Sequence, residues 1–526
     1  MGAIVFGGGT IATGSERGDL DRLVVVDGRV AEPGAADPAG AEVVDLGGGY
    51  LGPAFGDGHA HLMQAGREFS GPEIRSASSV ADVVASVRAW ADAHPDAEWI
   101  VGASYDATLT SDGRFDARWL DEAVADRPVV LRAWDYHTAW CNSRALELAG
   151  ITADTPDPAD GIIARRPDGS PLGTLIESGA TDRVFDLVPP TSVEQGVEEL
   201  RRSTAFAASC GITWVQDAWV EPGDVDAWVA AAEQGALSVD ADLAIRADPV
   251  DWPEQVGELA GLRDRIERAP GITARTLKFF VDGIIENHTA YLLADYADAC
   301  TRGLPVWTDD QLRQAFVDAD LLGFDIHLHA IGDGGVRLAL DATQHLRGVT
   351  GWSDRRVTLA HAQLVDEADL ARFAALDVTV CFQPLWAVED AVMRDLTLPR
   401  LGPERSLHYR IRSVLDAGAR ISFGSDWPVT SPEVLAGIRT AVTRETPDGW
   451  PAGGWHPAER ITVTEALTAA TRGVAYQGRS EGVRGALVPD AQADLVWLSA
   501  DPRSVAPKAL TDVRVLGTWR RGTRTF

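Results

Sequence analysis

The chain has 526 residues, 45% of them hydrophobic, enough apolar material for a full core and more than one ordinary domain. Asp and Glu number 78 against 47 Lys and Arg, a formal charge of −31. Such a surface repels phosphate backbones and anionic membranes, so neither nucleic acid nor a membrane is an expected partner.

The first residues, MGAIVFGGGT, lack the basic start and apolar run of a signal peptide. AIVFGG, RLVVVDGRV and AEVVDLGGGYL read as short strands, with a hairpin signal at Asp27-Gly28. ADLVWLSA and VRVLGTWRRG, near the other end, read the same way. A small β-sandwich domain built from both termini, residues 1–54 and 479–526, is therefore expected around a long middle.

Within 55–478 the pattern alternates. YLGPAFGDGHAH (50–61) is the first strand candidate of the alternation. ITWVQDA (212–218), ADLAIRA (241–247), ARTLKFFVDG (274–283), FDIHLHA (324–330), RVTLAHAQ (356–363), DVTVCFQ (377–383) and ARISFGSD (419–426) bring the number to eight. Helical patterns lie between them. Val193, Val197 and Leu200 follow a Thr191-x-x-Glu194 capping signature, and Thr462-x-x-Glu465 opens another helix. Eight strands separated by helices point to an α/β fold, a (β/α)8 TIM barrel. The stretch from the first strand to the second is too long for one connection. An inserted subdomain of about 70–195 is expected there, with EWIVGASY and PVVLRAW among its strands.

Chemistry-bearing residues sit at the ends of these strands. His59 and His61 are two apart on a strand and so share a face, the arrangement a divalent transition metal requires. At this histidine frequency roughly 0.2 such pairs would arise by chance, yet His327 and His329 form a second. In that pair one histidine can serve only to support the other. His361 and Asp426 end two further strands. Imidazole and carboxylate without thiolate suits Zn, Mn, Fe or Co. An open coordination position would bring a bound water to a pKa of ~7, with Asp426 placed to take its proton. Only two of the 47 basic residues are lysines, Lys278 and Lys508. Lys278 lies in the apolar strand TLKFFVDG, where its amine could add CO2 and become a carbamate that bridges metals, which arginine cannot do. Four scattered cysteines (Cys141, Cys210, Cys300, Cys381) with no CxxC pair fit a reduced, cytoplasmic protein.

At this point the chain resembles the amidohydrolase superfamily, and within it the branch of N-substituted formamide deformylase and the YtcJ-like proteins. The matching stretches are GDGHAHL, HTAWCNSRALELAGI (137–151), GTLIESGA (173–180), GITWVQDA (211–218), KFFVDGIIENHTAYLL (278–293), HAIGDGGVRLALDA (329–342), HAQLV (361–365) and GSDWPV (424–429). The resemblance implies a hydrolase that cleaves an amide or related C–N bond of a small molecule by attack of metal-bound hydroxide. It implies Zn2+, one ion or two, with His59 and His61 on the first metal and Lys278 as the carbamylated bridge. His329 and His361 bind the second metal, or His361 polarises the substrate carbonyl if one metal is present. Asp426 is first-metal ligand and proton shuttle. His137, Trp140 and Asn142 border the substrate, Glu177 matches a family glutamate, and His327 and His288 join the candidate substrate residues. His288 stands where many relatives have Arg, so the resemblance implies a different substrate group at that position. A deaminase or a lactonase or other esterase of the same superfamily is the alternative, and a non-catalytic scaffold a further one. The His-x-x-Glu usual in such deaminases is missing, because Ala330, Ile331 and Gly332 follow His329. Trp134, Trp140, Trp219, Trp386 and Trp427 fall near motif ends and suggest either an aromatic pocket or core packing. A homodimer is the candidate assembly.

Overall fold

A computed structural model describes residues 2–158, 160–351 and 354–526. Eight parallel strands form its centre: β1 (Phe55–Ala60), β2 (Ile212–Val220), β3 (Asp240–Arg246), β4 (Thr276–Phe280), β5 (Asp325–Ala330), β6 (Val357–His361), β7 (Val378–Phe382) and β8 (Ile421–Phe423). They pair in chain order from β1 to β8. Every residue of β5, β6 and β7 is buried, as a parallel strand covered on both faces must be. Helices such as Val193–Ser209, Asp309–Leu321 and Asp333–Thr350 run between the strands. Leu312, Phe316, Val336 and Leu340 on two of these helices join the core cluster that includes strand residues Phe279, Ile326 and Leu359.

The ring closes between β1 and β8, just beyond the ends of the strands. Asp426 N–H donates to His59 O at 2.6 Å, and His61 N–H to Trp427 O at 2.7 Å. The Asp57 carboxylate accepts from the His59 and Ser425 amides and from Ser425 Oγ. Gly424 permits the approach, since a Cβ there would sit 2.6 Å from the His59 backbone nitrogen.

The run 50–61, read as one strand, divides in two. Tyr50–Pro53 belongs to a different sheet, and only Phe55–Ala60 enters the barrel. Ala54 marks the crossing, its N–H bonded to Asp494 O while Phe55 N–H turns to Gly211 O. That other sheet has eight strands, drawn from both ends of the chain. Tyr50–Pro53 pairs with Leu495–Leu498, which pairs with Val515–Arg520. Ala3–Ala12 pairs with Asp19–Val26, and the Asp27-Gly28 turn leads into Arg29–Val30 with positive φ at both turn residues. Phe6, Leu51, Leu495 and Trp519 fill its core.

The capping box at Thr462 and Glu465 forms as read. The earlier one shifts by a residue: Ser192, not Thr191, caps the helix and accepts from Gln195 N–H. Both hydroxyls can cap, and the chosen register buries Val197 and Leu200 while leaving Val193 exposed. No helix among the described residues is long and apolar enough to cross a membrane.

Between β1 and β2 the insertion builds a five-stranded sheet in the order Ile162–Arg165, Pro171–Ile176, Thr138–Cys141, Val129–Ala133, Ile100–Tyr105. Trp140 is fully buried in its core with Tyr105 and Phe115, and its Nε1–H donates to Asp116 O. Asn142 is equally buried and uses all of its amide. Oδ1 accepts from the Val129 and Ala145 amides, and Nδ2 donates to Val124 O and Arg127 O. Asn142→Ala removes a helix N-cap and leaves buried groups unpaired, so it should cost about 3–5 kcal/mol. Denaturant unfolding checks this; a loss under about 1 kcal/mol would mean the network is not what holds the insertion together.

Candidate metal centre

The barrel places its polar side chains at the C-terminal ends of the strands. His59 and His61 leave β1, Lys278 lies within β4, His327 and His329 are on β5, His361 ends β6, and Asp426 follows β8. All seven are buried. Alternation along β5 turns both of its histidines inward, and the parallel register sets Lys278 beside His327.

Asp426 Oδ1 lies 2.8 Å from His61 Nε2 and 3.3 Å from His59 Nε2. These three residues offer ligand atoms that all lie within 4.8 Å of one another. His59 Nε2 and Asp426 Oδ1 are buried and lack an aligned hydrogen bond, despite those short separations. Buried polar atoms are normally paired. Two that converge unpaired have the chemistry of ligands to a cation, so the donor set fits a divalent metal. His59 is oriented from below, its Nδ1 2.7 Å from His327 Nε2. With His59 Nδ1 as the donor in this contact, Nε2 is left free to ligate, a support that metal-binding histidines commonly have. His327 lies against His59 and is not among the residues that line the cavity at this group.

The second group is looser. The His361 ring lies 4.6 Å from His329 and 4.8 Å from His59, and stacks on Trp386 at 5.1 Å. His361 Nδ1 is buried and unpaired, while His329 Nε2 lies 3.3 Å from Gly283 O. Lys278 Nζ sits 4.5 Å from the centre of the Phe280 ring. Burial lowers its amine to about 7. Burial, and then the Lys278 charge, hold His59 and His327 well below the usual imidazole range. For His329 and His361 burial again dominates, followed by the neighbouring histidine. Neutral imidazole is the form that ligates. Burial opposes ionisation of Asp426, yet the close His61 imidazole, followed by His361 and Lys278, outweighs it and holds the carboxyl below the usual range.

A cavity of about 200 Å³ opens onto this group. Trp134, Ile284, Trp386 and Met393 give it apolar walls, and His137, His329 and Asp426 face it. His137 comes from the insertion, with Nδ1 2.7 Å from Glu177 Oε2, while Thr289 Oγ1 donates to Glu177 Oε1. Burial works against the His137 charge, but the Glu177 carboxylate prevails and raises its pKa.

Three expected substrate residues lie elsewhere. Trp140 and Asn142 are in the insertion core. Their side chains pack inside the insertion, on and just after the strand Thr138–Cys141 that follows His137, and do not line the cavity. His288 has a left-handed backbone and points to Asp298 Oδ1 at 2.9 Å, beside Tyr296. Of the five tryptophans, Trp134 and Trp386 line the cavity, Trp219 meets the His61 ring edge-on at 6.0 Å, and Trp427 packs against Phe69 and Phe206. Two organising carboxylates went unread, although both stand in quoted motifs. Asp57 clips the seam, and Asp217 accepts from the Leu62 amide just after His61. Their signal was an acid inside an otherwise apolar strand.

Glu177 has φ 61° and ψ 164°, a region that glycine alone enters freely. Glu177→Ala and Glu177→Gly lose the same contacts but differ in backbone freedom. The glycine variant should therefore be the more stable by about 1–3 kcal/mol. Equal melting curves for the two would show that the backbone there is unstrained.

Comparison with known proteins places this geometry. The sequence profile of the Amidohydrolase family matches residues 42–526. The chain is 28% identical to "Putative amidohydrolase YtcJ" of Bacillus subtilis (strain 168), over 96% of each chain. It is 27% identical to "N-substituted formamide deformylase" of Arthrobacter pascens, over 96% of this chain and 93% of that one. The crystal structure of an uncharacterized metal-dependent hydrolase from Pyrococcus furiosus superposes with a TM-score of 0.73 at 25% identity, covering 95% of this chain and 100% of that one.

Proposed function

This chain belongs to the amidohydrolase family, and from that premise we propose that it is a metal-dependent hydrolase of an amide or related C–N bond in a small molecule. The observation that carries the reading is the convergence of His59 Nε2, His61 Nε2 and Asp426 Oδ1 as buried ligand atoms. His59, His61 and Asp426 would hold one divalent ion, with zinc the first choice for this donor set. Lys278 as a carbamate, His329 and His361 would hold a second. Such an ion supplies Lewis-acid polarisation of the carbonyl and brings water near a pKa of ~7.

The chain's own groups account for the proton movements. Asp426, kept ionised, accepts a proton from the attacking water at a carboxylate oxygen. It returns that proton to the leaving nitrogen, which then departs as a neutral amine rather than an anion. Water supplies the OH of the new acid and the H of the amine, so the balance closes. With one ion alone, His361, fixed against Trp386, orients the carbonyl in place of ligating a second; His137, held by Glu177, meets the substrate from the insertion side. The apolar walls of the cavity exclude water and suit an apolar or aromatic substituent. Names such as that of the formamide deformylase support a C–N substrate, and four free thiols support a cytoplasmic setting.

Near pH 7 a good share of Lys278 is the neutral amine, the form that adds CO2 and releases a proton. Incubation with 13C-bicarbonate should therefore give a carbamate carbon signal that Lys278→Ala lacks. Lys278→Arg should not restore activity, while a short carboxylic acid added to Lys278→Ala should recover part of it. A Lys278→Arg protein with full turnover would remove the carbamate from the mechanism.

His59→Ala or His61→Ala should reduce both metal content and turnover by orders of magnitude. Asp426→Asn should abolish most of kcat while substrate still binds. Elemental analysis and a screen of formamides, N-acyl amines and lactones check these outcomes. Full activity in metal-free protein would sink the hydrolase reading.

A further inference from the structure

The cavity at the metal ligands carries more negative charge than the hydrolytic reading uses. Asp112, Asp135, Glu286 and Asp390 line it together with Asp426, and no described lysine or arginine does. Only Asp426 is among the grouped ligand atoms, so a metal charge leaves the other four unanswered. Asp135 accepts from the His137 and Thr138 amides, and Glu286 from Thr397 Oγ1. Among the described residues neither makes an ion pair. The cations nearby do not cancel this charge. His137 is taken by Glu177 at 2.7 Å. Arg394 acts on Asp390 but is exposed and paired with Asp395 at 3.0 Å. Arg400 acts on Glu286 from outside the lining, its Nη1 bonded to Leu396 O. Crediting Arg400 wholly to Glu286 still leaves Asp135, and at the exposed edge Asp112 and Asp390.

Burial raises the carboxyls of Asp135, to about 6, and of Glu286. Each also feels another acid, Glu286 acting on Asp135 and Asp390 on Glu286. A cation bound between them relieves that repulsion. An amide oxygen extends the same acceptor surface. Gln363, 3% exposed, lines the cavity. Burial keeps the His408 ring neutral, and its Nε2 lies 3.0 Å from Arg405 O, so Nε2 carries the proton. His408 Nδ1 therefore accepts from Gln363 Nε2 at 3.3 Å. That orientation leaves Gln363 Oε1 without a partner among the described residues. Trp134 and Trp386 add aromatic faces, which attract cations.

We infer, resting on the hydrolytic reading above, that the substrate is an amide carrying an ammonium group across a short apolar spacer. The amide lies at the metal ligands and the spacer along the apolar walls. The ammonium meets Asp135, Glu286 and Gln363 Oε1. An ammonium has three donors and no acceptor, which matches a surface of carboxylates and one free carbonyl oxygen.

The test reads binding and turnover separately on the metal-loaded protein. Trp134 and Trp386 line the cavity, so intrinsic tryptophan emission follows binding, and mass spectrometry of the cleaved products follows turnover. Two probe sets place the ammonium on either side of the amide: N-(ω-aminoalkyl)formamides and N-methyl-ω-aminoalkanamides, with spacers of two to six carbons. Each is compared with the match that carries methyl in place of the ammonium. The best ammonium probe should bind about 10- to 100-fold tighter than its match, the worth of a charge-assisted hydrogen-bonded pair. Glu286→Gln and Asp135→Asn keep the shapes and should each narrow that preference about tenfold. Should one variant fail to fold, the other carries the comparison. Equal binding of ammonium and methyl probes overturns the inference, as does no saturable response or a preference that neither substitution alters. Turnover with equal binding keeps the hydrolytic reading and overturns this inference alone. An ammonium preference that follows the substitutions, without cleavage of any probe, sustains the cationic ligand and counts against the hydrolytic reading instead.

Discussion

The site depends on the seam that closes the barrel between β1 and β8. A barrel strand only three residues long, Ile421–Phe423, has little ladder with which to hold its neighbour. The bonds that do so lie beyond its end, from Asp426 N–H to His59 O and from His61 N–H to Trp427 O. The residues that close the ring are therefore those whose side chains converge. Asp57 adds three accepted hydrogen bonds from above, and Gln477 bridges Gly58 O and Ser422 Oγ from below. Any widening of this seam would separate His59 from Asp426 before it disturbed the outer helices.

That closure concentrates polar groups where burial is expensive. His59, His61, His327, His329, His361 and Lys278 share one interior, and burial pushes each toward its neutral form. Asp426 is driven the other way, toward the ionised form, by its close contact with His61 and then by His361 and Lys278. Environments that push neighbouring groups apart in this manner divide ligand, base and amine roles among them. Positive φ at His361 and Asp426 adds backbone strain at the same place. The packed ring of strands beneath holds the group against these costs.

The insertion gives the barrel mouth its shape. Through Trp134 and His137 it forms one side of the cavity at the metal ligands. Through Arg132 and Phe185 it forms one side of a second, larger cavity. Trp219 and Tyr136 stand where the two regions meet, so both are shaped by how one five-stranded sheet rests on the barrel. The strained Glu177 backbone fits this arrangement: its carboxylate must reach both His137 and Thr289, which lie on different units of the chain.

Features governed by local periodicity were legible in the amino-acid sequence. His59 and His61 share a face because side chains in a strand alternate, whatever the rest of the fold. The Asp27-Gly28 hairpin and the Thr462–Glu465 cap are likewise complete within a few residues, and the strand–helix alternation sets the barrel class. Where two local solutions were equally good, as at Thr191 and Ser192, packing of the helix decided. The break at Ala54 came from pairing with Asp494, distant in sequence. The HxxWxNS motif shows the same limit. Its residue types are ones that chemistry uses, but only the folded insertion shows that His137 faces the cavity while Trp140 and Asn142 are buried within the insertion. His327 could be read as a polar residue on the inward face, yet its contact with His59, 268 residues away, depends on two strands that do not pair with each other facing inward in the same barrel. Local sequence determines which way a side chain leaves its own strand; what it meets there is decided by long-range pairing, and only the tertiary structure supplies that.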